Sequence, residues 1–547
     1  MSQPWVQNYD PLGNSWLSTL VAAAPVFLLF YLLAVRRTIA WRAAVYSFLS
    51  AILIALAVFR MPPVMLSGAI ANGFVYAAIM IAWTLVAAVF VYEITVETGY
   101  FKVIMDSIGA VTDDRRLQVL LIAFAFGAVL EGSGGGGAPV AVCGAMLIGL
   151  GFQPFDAALM CLLANTAPVA WGGMGNPIRT LVAVTGLPEA DVSSMVGRIL
   201  PWISAILPFW LVRTQCSWRD TFQVWPGLAF CGLSFAAVQF FWSNYVDAAL
   251  VDIMGGLLTI VLTTVFLKFW KPKSVWRYPT DPPPTAVKRY TTLQIIHAWS
   301  PFLLIALLVV VWGLPPVKAF LEVTTFRMPV PGLHKLVLRV PPVVAHQEAE
   351  SAIFEFASLA AVGTATFLAG LIAGPLQGLS LGATFRIFFR TVYRMRASLA
   401  AIGAMLGLGY ITRYSGMDAV MGLALTKTGW TYPIFGTLIG WLGVALTGTD
   451  AGSNALFGSL QVITARNLGL SPVLMAAANT AGGVMGKMIG AQSVIVGCAA
   501  CGIEGQEGNL FRAVMKHSIP LALLVGLIVM LYAYVFPAFI PSGHKYW

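Results

Sequence analysis

The sequence predicts an all-α polytopic membrane protein: about 12 transmembrane spans in two inverted repeats, each with a re-entrant hairpin and a broken helix. Three observations carry that prediction. The 547-residue chain is 59% hydrophobic and 10% charged, with a mean hydropathy of +0.83, whereas a soluble domain is about a quarter charged. Many apolar runs exceed the ~18 residues that mark a membrane helix, and the alternation of a membrane β-barrel is absent. Finally, one order of features occurs twice. Leu130-Glu131-Gly132-Ser133 with four following glycines breaks one apolar stretch, and Thr447-Gly448-Thr449-Asp450 with Ser453-Asn454 breaks another. Each is followed by the same tripeptide, Ala164-Asn165-Thr166 and Ala478-Asn479-Thr480, and then by a Gly-rich interruption.

Apolar length places spans at 15–35, 41–59, 70–93, 155–186 (broken), 195–213, 224–243, 249–268, 294–313, 353–375, 396–412, 472–502 (broken) and 518–538, with re-entrant segments at 117–151 and 431–466. Lys and Arg collect in cytoplasmic loops, so Arg36, Arg37 and Arg42 put the N-terminus outside. Alternation then brings Lys102, Arg115, Arg116, Arg213, Arg219, the Lys268–Arg289 group, Arg386, Arg390, Arg394, Arg396, Arg512 and Lys516 to the inner side. This works when each Gly-rich segment returns to the side it came from, the first dipping from the cytoplasm and the second from outside. Residues 1–213 form the first repeat, 214–293 the connector spans and basic loop, and 294–547 the second repeat with an external loop at 316–350. The flanking charges also permit two full spans over 117–151; four consecutive glycines and Glu131 favour a buried tip.

The net charge of +10 is the loop bias of a membrane protein, so no nucleic-acid partner is expected. No basic region precedes the first apolar run, and no cleaved signal is expected. The cysteines lie mostly within apolar runs and the five histidines form no cluster; no metal or cofactor site is indicated. Gly132-x-Gly134-x-x-Gly137 lacks the strand and ribose acid of a dinucleotide site, and Gly482 to Lys487 lacks the spacing and Ser/Thr of a P-loop.

Polar breaks at membrane depth must line a cavity, and matching breaks in two halves point to a secondary transporter's binding site. Half-helix N-termini favour an anion. Restarts are readable at Ala138-Pro139, at Asn176-Pro177, at Asp450 or Ser453, and at Gln492-Ser493. Glu131 and Asp450 are the carboxylates of the two tips and candidate proton carriers, since an intramembrane acid is usually functional; Asp450 serves equally as a helix cap. Lys487 matches an anionic substrate or pairs with Asp450. Arg179 either does the same or reaches to the interface. Ser133, Gly134, Asn165, Thr166, Asn176, Thr449, Ser453, Asn454, Asn479, Thr480 and Gln492 complete the candidate substrate contacts.

At these residues the chain resembles the lactate permease family, the bacterial L-lactate/glycolate–proton symporters. The resemblance rests on Gln7-Asn8-Tyr9-Asp10-Pro11, Leu130-Glu131-Gly132, Asn165-Thr166-Ala167-Pro168, Ser453-Asn454-Ala455-Leu456-Phe457, Ala478-Asn479-Thr480, Gly486-Lys487-Met488-Ile489 and Gln492-Ser493, and runs nearly end to end. It implies uptake of 2-hydroxymonocarboxylates with protons across the bacterial inner membrane, with no enzyme activity. Gly135-Gly136-Gly137 lacks the family's aromatic, Asn176 and Arg179 stand where apolar residues are expected, and Arg413 where a neutral polar one is. The alternative is a sodium-coupled carboxylate or dicarboxylate transporter of related architecture.

Overall fold

The computed structural model describes residues 3–36, 38–134, 138–278, 290–344 and 346–546. Arg37, Gly135, Gly136, Gly137, Lys288 and Arg289 lie outside the described residues. Among the described residues ten helices are long and apolar enough to cross a membrane, or eleven if the bent pair Pro154–Ala164 and Val169–Thr185 counts as one crossing.

Both expected hairpins are present. The first pairs Arg115–Ser133, buried along its whole length, with Ala138–Gly149; Pro139 sits in the first turn, where its missing N–H does no harm. The second pairs Tyr432–Thr447 with Asp450–Asn467 across Gly448, whose φ of +78° suits glycine. Both broken helices are present too. Pro154–Ala164 and Val169–Thr185 bend by 60°. The left-handed residues Gly173, Met174 and Gly175 delay regular helix until Asn176. Pro472–Lys487 and Ala491–Cys501 flank a break at 488–490.

The two sets embrace. Gly172–Thr185 of the first broken helix packs on Asp450–Asn467 of the second hairpin, and Ala491–Cys501 of the second broken helix packs on Ala138–Gly149 of the first hairpin. Gly440, Gly482 and Gly486 let Tyr432–Thr447 and Pro472–Lys487 touch backbone to backbone, the small-residue packing of membrane helices. The spans read as a connector, Trp225–Tyr245 and Val251–Phe269, belong to this core. Gln239 donates to the Ala167 carbonyl at 3.0 Å, inside the first break, and accepts from Ser204 at 2.8 Å. Val251–Phe269 lies along Arg115–Ser133.

Three expected spans have different bounds. The run 353–375 divides into a strand, Ile353–Ala357, and a helix, Val362–Leu376. Ile353-Phe354-Glu355-Phe356-Ala357 carries β-branched and aromatic residues that favour a strand, and it pairs antiparallel with Thr325–Pro329. The span at 70–93 is one continuous helix over Pro63–Glu97 and that at 396–412 extends over Leu381–Ser415. Apolar counting stops at charges, but helical hydrogen bonding runs on where they find partners. Arg390 pairs with Glu97 at 2.6 Å, and Arg394 with Glu93.

At one end of the molecule Arg116 ties together three segments read as lying on the inner side. Arg116 binds Asp114 at 2.6 Å and the carbonyls of Asp220 and Ser274 at 2.7 and 2.8 Å. The other end carries a small β cap in which Trp5–Val6 pairs with Val337–Leu338. Gln7 donates to the carbonyls of Arg413 and Tyr414 at 2.9 and 3.0 Å. Arg413 holds Glu350 at 2.6 Å and donates to the carbonyls of Ala183 and Val184 at 3.0 and 3.2 Å. The guanidinium thus ties the cap to the end of the first broken helix.

Candidate functional site

The two breaks, the tip of the second hairpin and Glu131 of the first hairpin's inner arm meet in the buried interior, and most candidate residues meet with them. Lys487, the last residue of Pro472–Lys487, is 5% exposed. Its Nζ donates to the Gly448 carbonyl at the tip of the second hairpin, 2.8 Å away. An ammonium has three donors. No carboxylate of the described residues lies within ion-pair distance of it, so the direct pair with Asp450 is not formed. Lys487 acts electrostatically on both Asp450 and Glu131. A buried cation left with unused donors favours an anionic ligand. Two helix N-termini, of Asp450–Asn467 and Ala491–Cys501, start beside it, with Gly448 and Gly490 in contact.

The acids rest against glycines. A Cβ on Gly172, in the first broken helix, would meet Glu131 Oε1 at 2.7 Å; one on Gly483, in the second, would collide with Asp450 Oδ1. Glu131 Oε2 and Asp450 Oδ1 are buried without a hydrogen-bond partner. Asn165 faces Glu131 and Thr480 faces Asp450. Neither closes a hydrogen bond there: both side-chain atoms of Asn165 and the hydroxyl of Thr480 are unpartnered. Buried polar atoms are nearly always satisfied, so this concentration of unsatisfied ones outlines a candidate ligand site.

Around it runs a fixed network. Tyr432 donates to Gln461 Oε1 at 2.7 Å, and Gln461 Nε2 donates to the Gly436 carbonyl at 2.8 Å and to Asn479 Oδ1 at 3.1 Å. Asn479 Nδ2 then donates to Asn454 Oδ1 at 2.9 Å, and Asn454 Nδ2 to the Pro177 carbonyl at 3.1 Å. The network fixes the amides of Gln461, Asn479 and Asn454 and joins the second hairpin to the restart of the first broken helix. Ser453 donates to the Gly440 carbonyl at 3.1 Å.

Other candidates stand aside. The hydroxyls of Ser133 and Thr166 bond back to the carbonyls of Val129 and Leu163. Gly134 closes its helix onto Leu130 at 2.9 Å. Asn176 makes no backbone cap and accepts from Thr180 at 3.5 Å; its neighbour Arg179 pairs with Glu189 at 3.9 Å, away from Lys487. Thr449, not Asp450 or Ser453, caps the second hairpin's outgoing arm, accepting from the Gly452 N–H at 2.9 Å. Its extended backbone is what an N-cap requires. Gly490 occupies the N-cap position expected for Gln492-Ser493 and offers no side chain; Gln492 is exposed beside Gly448.

Sequence reasoning missed Gln461 and Tyr432, which lie inside the hairpin arms. It also missed Asp252, which is fully buried with both carboxylate oxygens unpartnered. For Asp252 the signal existed: one acid inside an apolar run.

The family model for L-lactate permease matches residues 18–536. A glycolate permease, GlcA, of Escherichia coli (strain K12) is 43% identical over 560 residues, covering 98% of this chain and 100% of the relative. An L-lactate permease of Salmonella typhimurium (strain LT2) is 43% identical over 548 residues, and one of Bacillus subtilis (strain 168) 40% identical over 569, each covering 98% of this chain and 100% of the relative. On the match along nearly its whole length, the chain belongs to the L-lactate permease family.

Proposed function

We propose that this protein is a secondary active transporter that takes L-lactate and glycolate into the cell together with protons. It is a multi-pass protein of the bacterial plasma membrane, and its family membership marks a transporter rather than an enzyme. The observation that carries the substrate reading is Lys487, a buried ammonium with unused donors beside two helix N-termini. A small carboxylate satisfies it. The unpartnered amide of Asn165 and hydroxyl of Thr480 suit the 2-hydroxyl of lactate or glycolate, and the names of the relatives support these two acids as substrates. Family membership gives the sodium-coupled dicarboxylate alternative no support.

Uptake of a monoanion against an inside-negative potential costs ~2.3 kcal/mol per charge per 100 mV, and one proton per lactate removes that cost. Glu131 and Asp450 hold the proton. The halves 1–213 and 294–547 are inverted repeats, and the matching order of hairpin and broken helix in each supports this. The β cap is external, and the Arg116–Asp114 end cytoplasmic. By analogy with other transporters built this way, the unit of hairpins and broken helices moves against the remaining spans. Counterflow in proteoliposomes with a panel of 2-hydroxy acids, and uptake at fixed pH with and without Na⁺, test the reading. Counterflow by L-lactate and glycolate with no sodium dependence is expected; failure of both acids to exchange would sink it.

A further inference from the structure

Asp252 stands in the first turn of Val251–Phe269. It is 0% exposed, and neither carboxylate oxygen has a partner. The helix comes so close to the first hairpin that a Cβ on Gly132 would meet Asp252 Cβ at 2.9 Å and Ile253 N at 3.0 Å. Asp252 therefore lies beside the residue that follows Glu131, and the two carboxyl groups interact. Of the titratable groups on the elements packed against this helix, among the described residues, Glu131 alone faces Asp252. Cys231 sits by Thr263, Arg179 by Glu189 and Asp247, Tyr245 against His544, His297 against Tyr100, and Arg116 with Asp114. Glu131 itself faces Lys487 and Asn165.

The same helix carries two more buried hydroxyls, that of Thr259 without a partner and that of Thr263 beside the Cys231 thiol. Positions 252, 256, 259 and 263 fall on one face of a helix. Gly256 on that face lies against the backbone of Ala125 and Val129, so the stripe runs between this helix and the first hairpin's inner arm. It leads from Glu131 toward the end that bears Lys268.

We propose that Asp252 is a further proton-holding carboxyl of this transporter, sharing one proton with Glu131 and passing it along the Thr259–Thr263 face toward the cytoplasm. Two neighbouring buried carboxyl groups with unpaired oxygens are a poor place for two charges and a good one for a shared proton. In the transfer, the O–H bond at the Glu131 carboxyl breaks as one forms at Asp252, and the negative charge moves the other way. Lactate departs from Lys487 while the proton leaves by a separate face. This proposal rests on the proton-symport reading.

The test uses the full chain in proteoliposomes and reads the ratio of pH-gradient-driven L-lactate accumulation to L-lactate counterflow. Glu131→Gln mimics the protonated acid and is expected to lose accumulation while keeping exchange. Asp252→Asn is expected to lower the ratio roughly tenfold or more, and Thr259→Val severalfold. A wild-type ratio in Asp252→Asn overturns the proposal. Loss of counterflow along with accumulation in folded Asp252→Asn also overturns it, because exchange needs no deprotonation. If Asp252→Asn does not fold, Thr259→Val decides, and a wild-type ratio there is equally fatal. Failure of the symport reading shows separately, as no pH-driven accumulation by the unmutated protein.

Discussion

The Glu131 carboxylate lies on the backbone of Gly172, with Oε1 2.7 Å from the place a Cβ would occupy. Gly172 has φ −56° and ψ 150°, a conformation open to any residue, so space alone forbids a side chain. Gly172→Ala is expected to displace Glu131 and cut pH-driven uptake roughly tenfold, with destabilisation of about 1–3 kcal/mol. Gly382→Ala, where nothing lies within 4 Å, should stay within about 0.5 kcal/mol of the parent. Uptake assays and thermal melts of the purified variants compare them.

Lys487 and Arg179 separate by substitution. Lys487→Ala removes the buried ammonium at the meeting of tip and break. A hydrogen bond to a charged group is worth about 1.5–3 kcal/mol, so L-lactate affinity should fall roughly 10- to 150-fold. Arg179→Ala should weaken binding far less, since that side chain pairs with Glu189. Titration calorimetry in detergent checks both, and parental affinity in Lys487→Ala would remove the carboxylate partner.

Glu350 links acid stability to the cap. Burial alone would raise its pKa, but the Arg413 and Arg339 guanidinia outweigh it and the carboxyl sits below its usual range. A depressed folded pKa contributes stability that is fully present above the unfolded value of about 4.3 and is lost as pH falls through the folded one. The melting temperature should therefore hold flat from neutral pH down to about 4.5 and fall below that. Glu350→Gln, which leaves two arginines unpaired, should cost about 3–5 kcal/mol at neutral pH. Melts across that pH range read both effects.

Sidedness is open to cysteine labelling. The six native cysteines are free and buried, which keeps the background low. A cysteine at Pro331 should react with an impermeant maleimide on intact cells, and one at Lys273 only after the membrane is opened. Equal reactivity at both positions would overturn the inverted arrangement.

The breaks were legible because glycine and polar residues interrupt long apolar runs, and such interruptions have few other uses in a membrane. Glu131, Asp450, Asn165 and Lys487 were found that way. Asp252 was passed over although it lies inside the span placed at 249–268, because no glycine or polar break flags it there. Gln461 and Tyr432 hid within hairpin arms, where their role depends on the approach of Asn479. Residues 353–357 were counted as helix because they run straight into the apolar stretch that follows, and hydropathy does not register the pairing with Thr325–Pro329 that makes them a strand. Thr449 was passed over as a cap for its neighbour because both residue types suit that position, and only the backbone angles choose between them.

Each half of the chain grips the other: Gly172–Thr185 lies on Asp450–Asn467, and Ala491–Cys501 on Ala138–Gly149. During synthesis the first hairpin and first broken helix leave the ribosome long before their partners exist. They must wait in the bilayer or its insertion machinery with polar backbone uncovered. The interior closes only after Ala491–Cys501 has been made, so a truncation ahead of that segment harms the N-terminal half as much as the part it removes. Supplying the missing half as a separate chain is then the way to rescue it.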